Sequence, residues 1–295
     1  MHFQLTEDQR ALQQGMRELL AGRFGRDALR AAVDAPGVLD RSLWRELGEA
    51  GFFALRLPED EGGVGLGVPE AVLLFEEAGR ALLPGPLIAT HLAAGLVEGA
   101  ADGSVVVAQA DGPHVEWYEA ADVTLYGDEV SALPLEESLR SVDPLTPLHS
   151  LSEGPKVDPL VGLFSAAEQV GSAARTTEMA VQYAREREQF GVAIGSFQAV
   201  KHLCAQMLAR TELARAAVYA AAVTEDLADI ATAKLLADEA AVRCARDCLQ
   251  VYGGMGFTWE ADVHLHLKRA WVRKERWFPD ALLTELLAEL LVEVG

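Results

Sequence analysis

What most constrains this chain is a change of hydrophobic period along its length. From about Pro155 onward, apolar residues recur at helical spacing over stretches near 157–189, 196–224, 226–254 and 278–293, with a less regular segment near 261–275. Short turns separate the long stretches, so consecutive helices run antiparallel and bury their apolar stripes against one another. That pattern predicts a four-helix bundle.

The region ahead of it divides in two. Residues 5 to 100 read as helices. Thr6-Glu-Asp-Gln9 has the form of a capping box and opens a run with Leu12, Met16, Leu19 and Leu20 at helical spacing. Ser42, Trp44 and Leu47 begin a second helix, Pro69 a third that ends near Leu83, and Pro84-Gly-Pro86 separates it from a fourth. The glycine-rich Leu57 to Gly67 breaks the pattern between them. From 104 to about 150 the period shortens to two, in runs such as Ser-Val-Val-Val-Ala-Gln and Asp-Val-Thr-Leu-Tyr divided by Asp-Gly, Gly-Asp and Pro. The expected organisation is an N-terminal helical domain over 1–102, a reduced β section of small antiparallel strands over 103–152, and a C-terminal helical bundle over 153–295. The β section is too short for a deep barrel or a large sandwich.

Composition removes several function classes. With 295 residues, half of them hydrophobic, the chain has enough apolar material for a substantial core. A formal net charge of −20 disfavours nucleic acid as a partner. Apolar stretches such as Leu213 to Val223 are too short to span a membrane, and the polar start does not read as a signal peptide, so a cytoplasmic protein is expected. Cys204, Cys244 and Cys248 fall in helical patterns and read as packing residues. His264 and His266 lack the further ligands of a metal site. The run Lys268, Arg269, Arg273, Lys274 and Arg276 reads as a solvated face, with an interface or coenzyme-phosphate role as the other reading.

Two motifs suggest a ligand. In Arg185-Glu-Arg187-Glu-Gln189-Phe190-Gly191 a helix ends in a basic turn and the glycine releases the chain; Phe197 and Gln198 then open the next helix. Arg187 suits bidentate contact with a pyrophosphate and Phe190 offers an apolar wall, unless Arg187 pairs with Glu186 or Glu188 and Phe190 merely staples the turn. In Gln250-Val-Tyr-Gly253-Gly254-Met-Gly-Phe257 glycines end a helix and expose backbone amides.

Together with the order of elements, Arg-Glu-Gln-Phe-Gly, Phe-Gln-Ala-Val-Lys-His and Gln-Val-Tyr-Gly-Gly-Met-Gly-Phe make the chain, from about 4 to 275, resemble the acyl-CoA dehydrogenases. In that family FAD crosses a subunit interface: one subunit's middle β domain holds the flavin ring and the neighbour's helical domain holds the adenine dinucleotide end. The resemblance implies that Arg187, Gln189, Phe190, Phe197, Gln198, Gln250, Gly253 and Gly254 form the neighbour's half of such a site.

The chain also departs from the family. Nothing in 101–160 resembles the Thr-Glu-Pro-x-x-Gly-Ser-Asp loop that accompanies the flavin ring, and the section is about half the usual length. The reaction needs a carboxylate at the substrate α-carbon, opposite the flavin. Where the family carries that glutamate, this chain has Arg276-Trp277-Phe278 or Leu160-Val161-Gly162, so no catalytic residue is assigned, with Glu168 and Glu260 as fallback bases. The chain resembles the non-catalytic subunit of heterotetrameric (α2β2) acyl-CoA dehydrogenases of steroid side-chain degradation, which implies a longer partner that supplies the flavin pocket and the glutamate. The alternatives are a self-sufficient homo-oligomeric dehydrogenase and a purely structural subunit.

Overall fold

The structure, a computed structural model, describes residues 4–155, 158–277 and 279–293, with side chains through 289. The expected capping box closes α1 (Glu7–Arg23): the Gln9 amide donates to Thr6 Oγ1 at 3.1 Å, and Gln9 Oε1 accepts from the Thr6 amide at 3.0 Å. A nine-residue helix that the periodicity did not single out follows, α2 (Arg26–Asp34). Asp40 caps α3 (Arg41–Glu49) through the amides of Ser42 and Leu43. Pro69 sits in the first turn of α4 (Val68–Ala81), where its missing N–H costs nothing. The fourth expected helix, α5 (Leu87–Leu92), is only six residues long.

The middle section forms one six-stranded sheet, β1 (Val107–Asp111), β2 (His114–Glu116), β3 (Val123–Tyr126), β4 (Glu129–Val130), β5 (Leu135–Leu139) and β6 (Leu148–Leu151), in the order β4-β3-β1-β2-β6-β5. Its pairings are antiparallel, as expected, except β1 with β3, where Val107 faces Val123 and Gln109 faces Leu125. After β2 the chain reverses through Trp117 and a 3-10 turn at Tyr118–Ala120, which brings β3 to the other side of β1 running the same way. Asp122 fixes that return by accepting from the Val106 amide at 2.8 Å and pairing with Arg41 of α3.

Three long helices carry the bundle: α6 (Pro159–Glu186), α7 (Gln198–Thr224) and α8 (Leu227–Tyr252). α4 lies along α6, and α9 (Val263–Lys274) and α10 (Asp280–Glu293) pack on α8. The α4–α6 crossing is close because residue 171 is glycine; a Cβ there would overlap the Glu76 carbonyl. Phe75 of α4 stacks on Phe164 of α6 with centroids 4.5 Å apart, and His91 of α5 meets both rings edge-on. A fully buried trio ties α6, α8 and α9: Lys234 pairs with Asp238 and donates to the Arg273 carbonyl at 3.0 Å, while Gln169 donates to Asp238 at 2.9 Å and to the Ala270 carbonyl at 3.1 Å. Among the described residues no helix is long and apolar enough to cross a membrane.

Candidate functional site

The Arg187 segment is built differently from the sequence expectation. α6 ends at Glu186, and the Arg187 amide still donates to the Tyr183 carbonyl at 2.8 Å. Gly191 does not release the helix. The chain forms a two-stranded hairpin, β7 (Glu188–Gln189) and β8 (Val192–Ala193), whose two turn residues are both left-handed, Phe190 at φ 55° and Gly191 at φ 80°. A two-residue hairpin with both central residues at positive φ matches the right-handed twist of its strands. Phe190 bears a steric cost there that a glycine would not, and its ring is 92% exposed. As expected, Phe197 is the N-cap and Gln198 the first residue of α7.

Four of the eight expected contact residues, Arg187, Gln189, Gly253 and Gly254, line one groove of about 420 Å³ at the ends of α6 and α8. Phe190 and Phe197 form an edge-to-face pair, centroids 6.3 Å apart. Gln198 and Gln250 are exposed at helix ends and are not among the groove walls. Gly253 ends α8 at φ 60°, and Gly254 has open space where a Cβ would stand. Among the described residues the Arg187 guanidinium makes no ion pair, and Glu186 instead accepts from Gln182. The pairing with Glu186 or Glu188 that would have made Arg187 structural is therefore not formed.

Sequence reasoning missed two wall residues. Tyr183 and Tyr252 stack at 4.1 Å and 15° between planes, joining the last turns of α6 and α8 beneath the groove. Burial pushes the Tyr252 phenol up to about 12, so it remains a neutral donor. The available signal was Tyr183 four residues before Arg187, the spacing that puts both on one helix face.

The fallback bases lie elsewhere. Glu168 is buried in mid-α6, roughly 28 Å along the helix axis from Arg187. Its Oε2 is 2.7 Å from Arg273 Nε, and burial raises its pKa against the pull of Arg273. Glu260 is exposed beyond the glycine turn, and its main-chain carbonyl accepts from Arg26 at 2.7 Å. Both positions where the family carries its base come together: a Cβ on Gly162 would overlap the Trp277 indole, so the indole fills the space above that glycine. Phe278 lies outside the described residues.

The basic run is not the solvated face expected of it. Arg269, Arg273 and Arg276 are buried, because α9 lies against the sheet and α6 and each guanidinium finds a carboxylate there. Arg269 pairs with Asp143, Arg273 Nη1 with Glu116 at 2.5 Å, and Arg276 Nη2 with Asp111 at 2.9 Å. Burial pushes the Glu116 carboxyl up, but Arg273 and Arg276 outweigh it and hold it at about 2. Lys274 pairs with Asp280 at 2.6 Å. The cleft among α5, β1, β2, α6 and α9 retains about 40 Å³, far below the ~300 Å³ at which ligand pockets begin.

The remaining candidates form no metal or redox centre among the described residues. His266 is buried with Nδ1 2.8 Å from Ser172 Oγ, and His264 stacks on Trp259. Among the described residues no group of His, Cys, Asp and Glu could hold a metal ion. Cys244 and Cys248 are buried and free, and Cys204 is half-buried and free.

Comparison with known proteins agrees with this architecture. Residues 6–102 match the N-terminal domain of acyl-CoA dehydrogenases and residues 163–275 their C-terminal domain. The acyl-CoA dehydrogenase IpdE2 of Mycobacterium tuberculosis is 34% identical over 90% of this chain and 91% of its own length. The chain belongs to the acyl-CoA dehydrogenase family. This acyl-CoA dehydrogenase homologue is similar in fold to a chain of the ChsE4–ChsE5 complex from Mycobacterium tuberculosis, with a TM-score of 0.86, 24% identity and 99% of both chains covered. A chain of the Tcur3481–Tcur3483 steroid acyl-CoA dehydrogenase superposes with a TM-score of 0.82 at 23% identity, covering 97% of this chain and 98% of that one. The family is one of oxidoreductases with FAD as cofactor.

Proposed function

We propose that this chain is a subunit of an FAD-dependent acyl-CoA dehydrogenase complex, in which it supplies the adenosine-pyrophosphate half of the FAD site and a partner subunit supplies the flavin pocket and the catalytic glutamate. One observation carries the reading: an open outer groove, whose Arg187 guanidinium makes no ion pair among the described residues, is combined with an inner cleft closed by ion pairs and an indole. The groove residues fit a pyrophosphate. Arg187 offers a planar fork of donors, and the turn at Gly253 and Gly254 lets a ligand approach the main chain. Gln189 presents an amide in the groove for a ribose or adenine edge, and in this reading the exposed Gln198, Gln250 and Phe190–Phe197 pair, which lie outside the groove walls, would meet the part of the dinucleotide that extends beyond it. The inner cleft does not fit a flavin ring, which is why the reading assigns the ring to the partner.

FAD, when bound, supplies the hydride acceptor for α,β-dehydrogenation of an acyl-CoA. This chain would fix the dinucleotide end and shield it from water. A steroid side-chain CoA thioester is the substrate class favoured by the steroid enzyme among the similar structures, and a two-chain complex is likewise what one of them is. A homo-oligomer relying on Glu168 is disfavoured by that carboxylate's ion pair inside the core.

The test is co-expression with a longer acyl-CoA dehydrogenase subunit, followed by native mass and FAD content per complex. Fewer FADs than chains are expected, and Arg187→Ala should remove most of the FAD. One FAD per chain would contradict the shared site, and bound FAD with acyl-CoA turnover by this chain alone would establish the homo-oligomeric enzyme; unchanged FAD in Arg187→Ala would rule out the FAD-site role and leave the structural subunit.

A further inference from the structure

Further along α6 from the sheet-side cleft, α1, α2, α4, α6 and α9 line a second cavity of about 350 Å³, within the ligand-pocket range. Its charge sets it apart: Arg17, Arg26, Arg80 and Arg175 line it against Glu77 and Asp262, four positive groups to two negative, in a chain of net charge −20. Three of these arginines are committed. Arg17 holds Glu77 with two hydrogen bonds of 2.8 and 2.6 Å, Arg26 holds Asp262 at 2.9 Å, and Arg80 chelates Glu178. Arg175 is different. It makes no hydrogen bond among the described residues, and its ion contact, 3.7 Å to Glu178, is with a carboxylate already taken by Arg80.

Beside it stands His266, only 3% exposed. The buried Ser172 hydroxyl and His266 Nδ1 share a hydrogen bond of 2.8 Å, which leaves Nε2 as the ring nitrogen without a hydrogen bond among the described residues. Burial, reinforced by the nearby Arg175 charge, keeps the ring neutral, with its pKa at about 3. The Arg175 guanidinium and His266 Nε2 thus make no hydrogen bond among the described residues, at a cavity whose other walls include Leu20, Phe24, Leu29 and Met179.

We propose that this cavity is a binding site for a small amphipathic carboxylate, the head held by Arg175 and His266 Nε2–H and a short aliphatic chain against the apolar wall. With the imidazole proton on Nε2, such a ligand gives His266 an acceptor and Arg175 an undivided carboxylate while burying apolar surface in one step. It would bridge α1 and α2 to α6 and α9, and it is independent of the FAD groove.

Calorimetric titration of the full chain, in the assembly in which it purifies, tests the site with octanoate as probe and 1-octanol and inorganic phosphate as controls. Saturable binding of one octanoate per chain is expected, with both controls at least tenfold weaker. Arg175→Gln should weaken octanoate at least tenfold while melting like the parent, because the Arg175 side chain is nearly half exposed; Arg187→Ala should leave the titration unchanged. Octanol binding equal to octanoate, phosphate binding equal to octanoate, an unaltered Arg175→Gln titration, or no saturable heat below ~1 mM would each overturn the assignment.

Discussion

Phe190 shows how little a residue's chemistry says about its conformation. The sequence marks it as an apolar wall, and the fold places it in a left-handed turn with its ring in solvent. Phe190→Gly should stabilise the isolated chain by about 1 kcal/mol, read as a higher Tm, while lowering FAD retention by the complex. If retention stays unchanged, the aromatic wall is not part of the site. His91 illustrates the reverse case, a polar residue taken into the core. It is 4% exposed among Phe52, Phe75 and Phe164, and Nδ1–H donates to the Phe52 carbonyl at 2.9 Å. Burial lowers its pKa to about 4 from an ordinary 6.5. The folded form therefore binds the proton less readily than the unfolded chain, so this stability is present above pH 6.5 and is lost as pH falls toward 4. The loss is about 3 kcal/mol for this residue alone. Denaturant titrations at pH 7 and 4.5 should show His91→Gln flattening that decline; a parallel decline in the variant would mean that His91 does not titrate in this window.

At the scale of elements, the helices were legible because an amphipathic period is a local signal. The expected long helices end within a few residues of α6, α7 and α8, and the capping box at Thr6 and the glycine turn at Gly253 lie where their chemistry put them. α2 was missed because its Ala-rich face carries few large apolar residues. The β7–β8 hairpin was missed because Phe-Gly is an unusual pair for a turn that favours Asn-Gly, and the β1–β3 pairing because strand neighbours are chosen by tertiary packing. The α6–α9 seam is likewise a tertiary fact, with Trp277 seated over Gly162. Gly162→Ala should cost about 1–3 kcal/mol in the parent and much less in a Trp277→Ala background. A double-mutant cycle with no coupling would show that the indole and the glycine do not share that space.

At the scale of the whole molecule, the buried charges join what the sequence presents as separate regions. Arg269, Arg273 and Arg276 hold Asp143, Glu116 and Asp111 of the sheet region, and Arg273 also holds Glu168 of α6. Removing a shared cation leaves carboxylates buried without compensation, so Arg273→Met should cost about 3–5 kcal/mol and raise amide exchange in β1 and β2 before it does so in α7 and α8. Uniform exchange across the chain would show that the cluster does not anchor the sheet. The sequence by itself determined the helical bundle, the short β section and the family, because periodicity, glycine turns and motif order are properties of neighbouring residues. It also located both halves of the Arg187 groove. Only the tertiary structure decided that Arg187 makes no ion pair among the described residues while Arg273 and Arg276 are consumed in the core, because an arginine's partner is set by which distant carboxylates packing brings within reach.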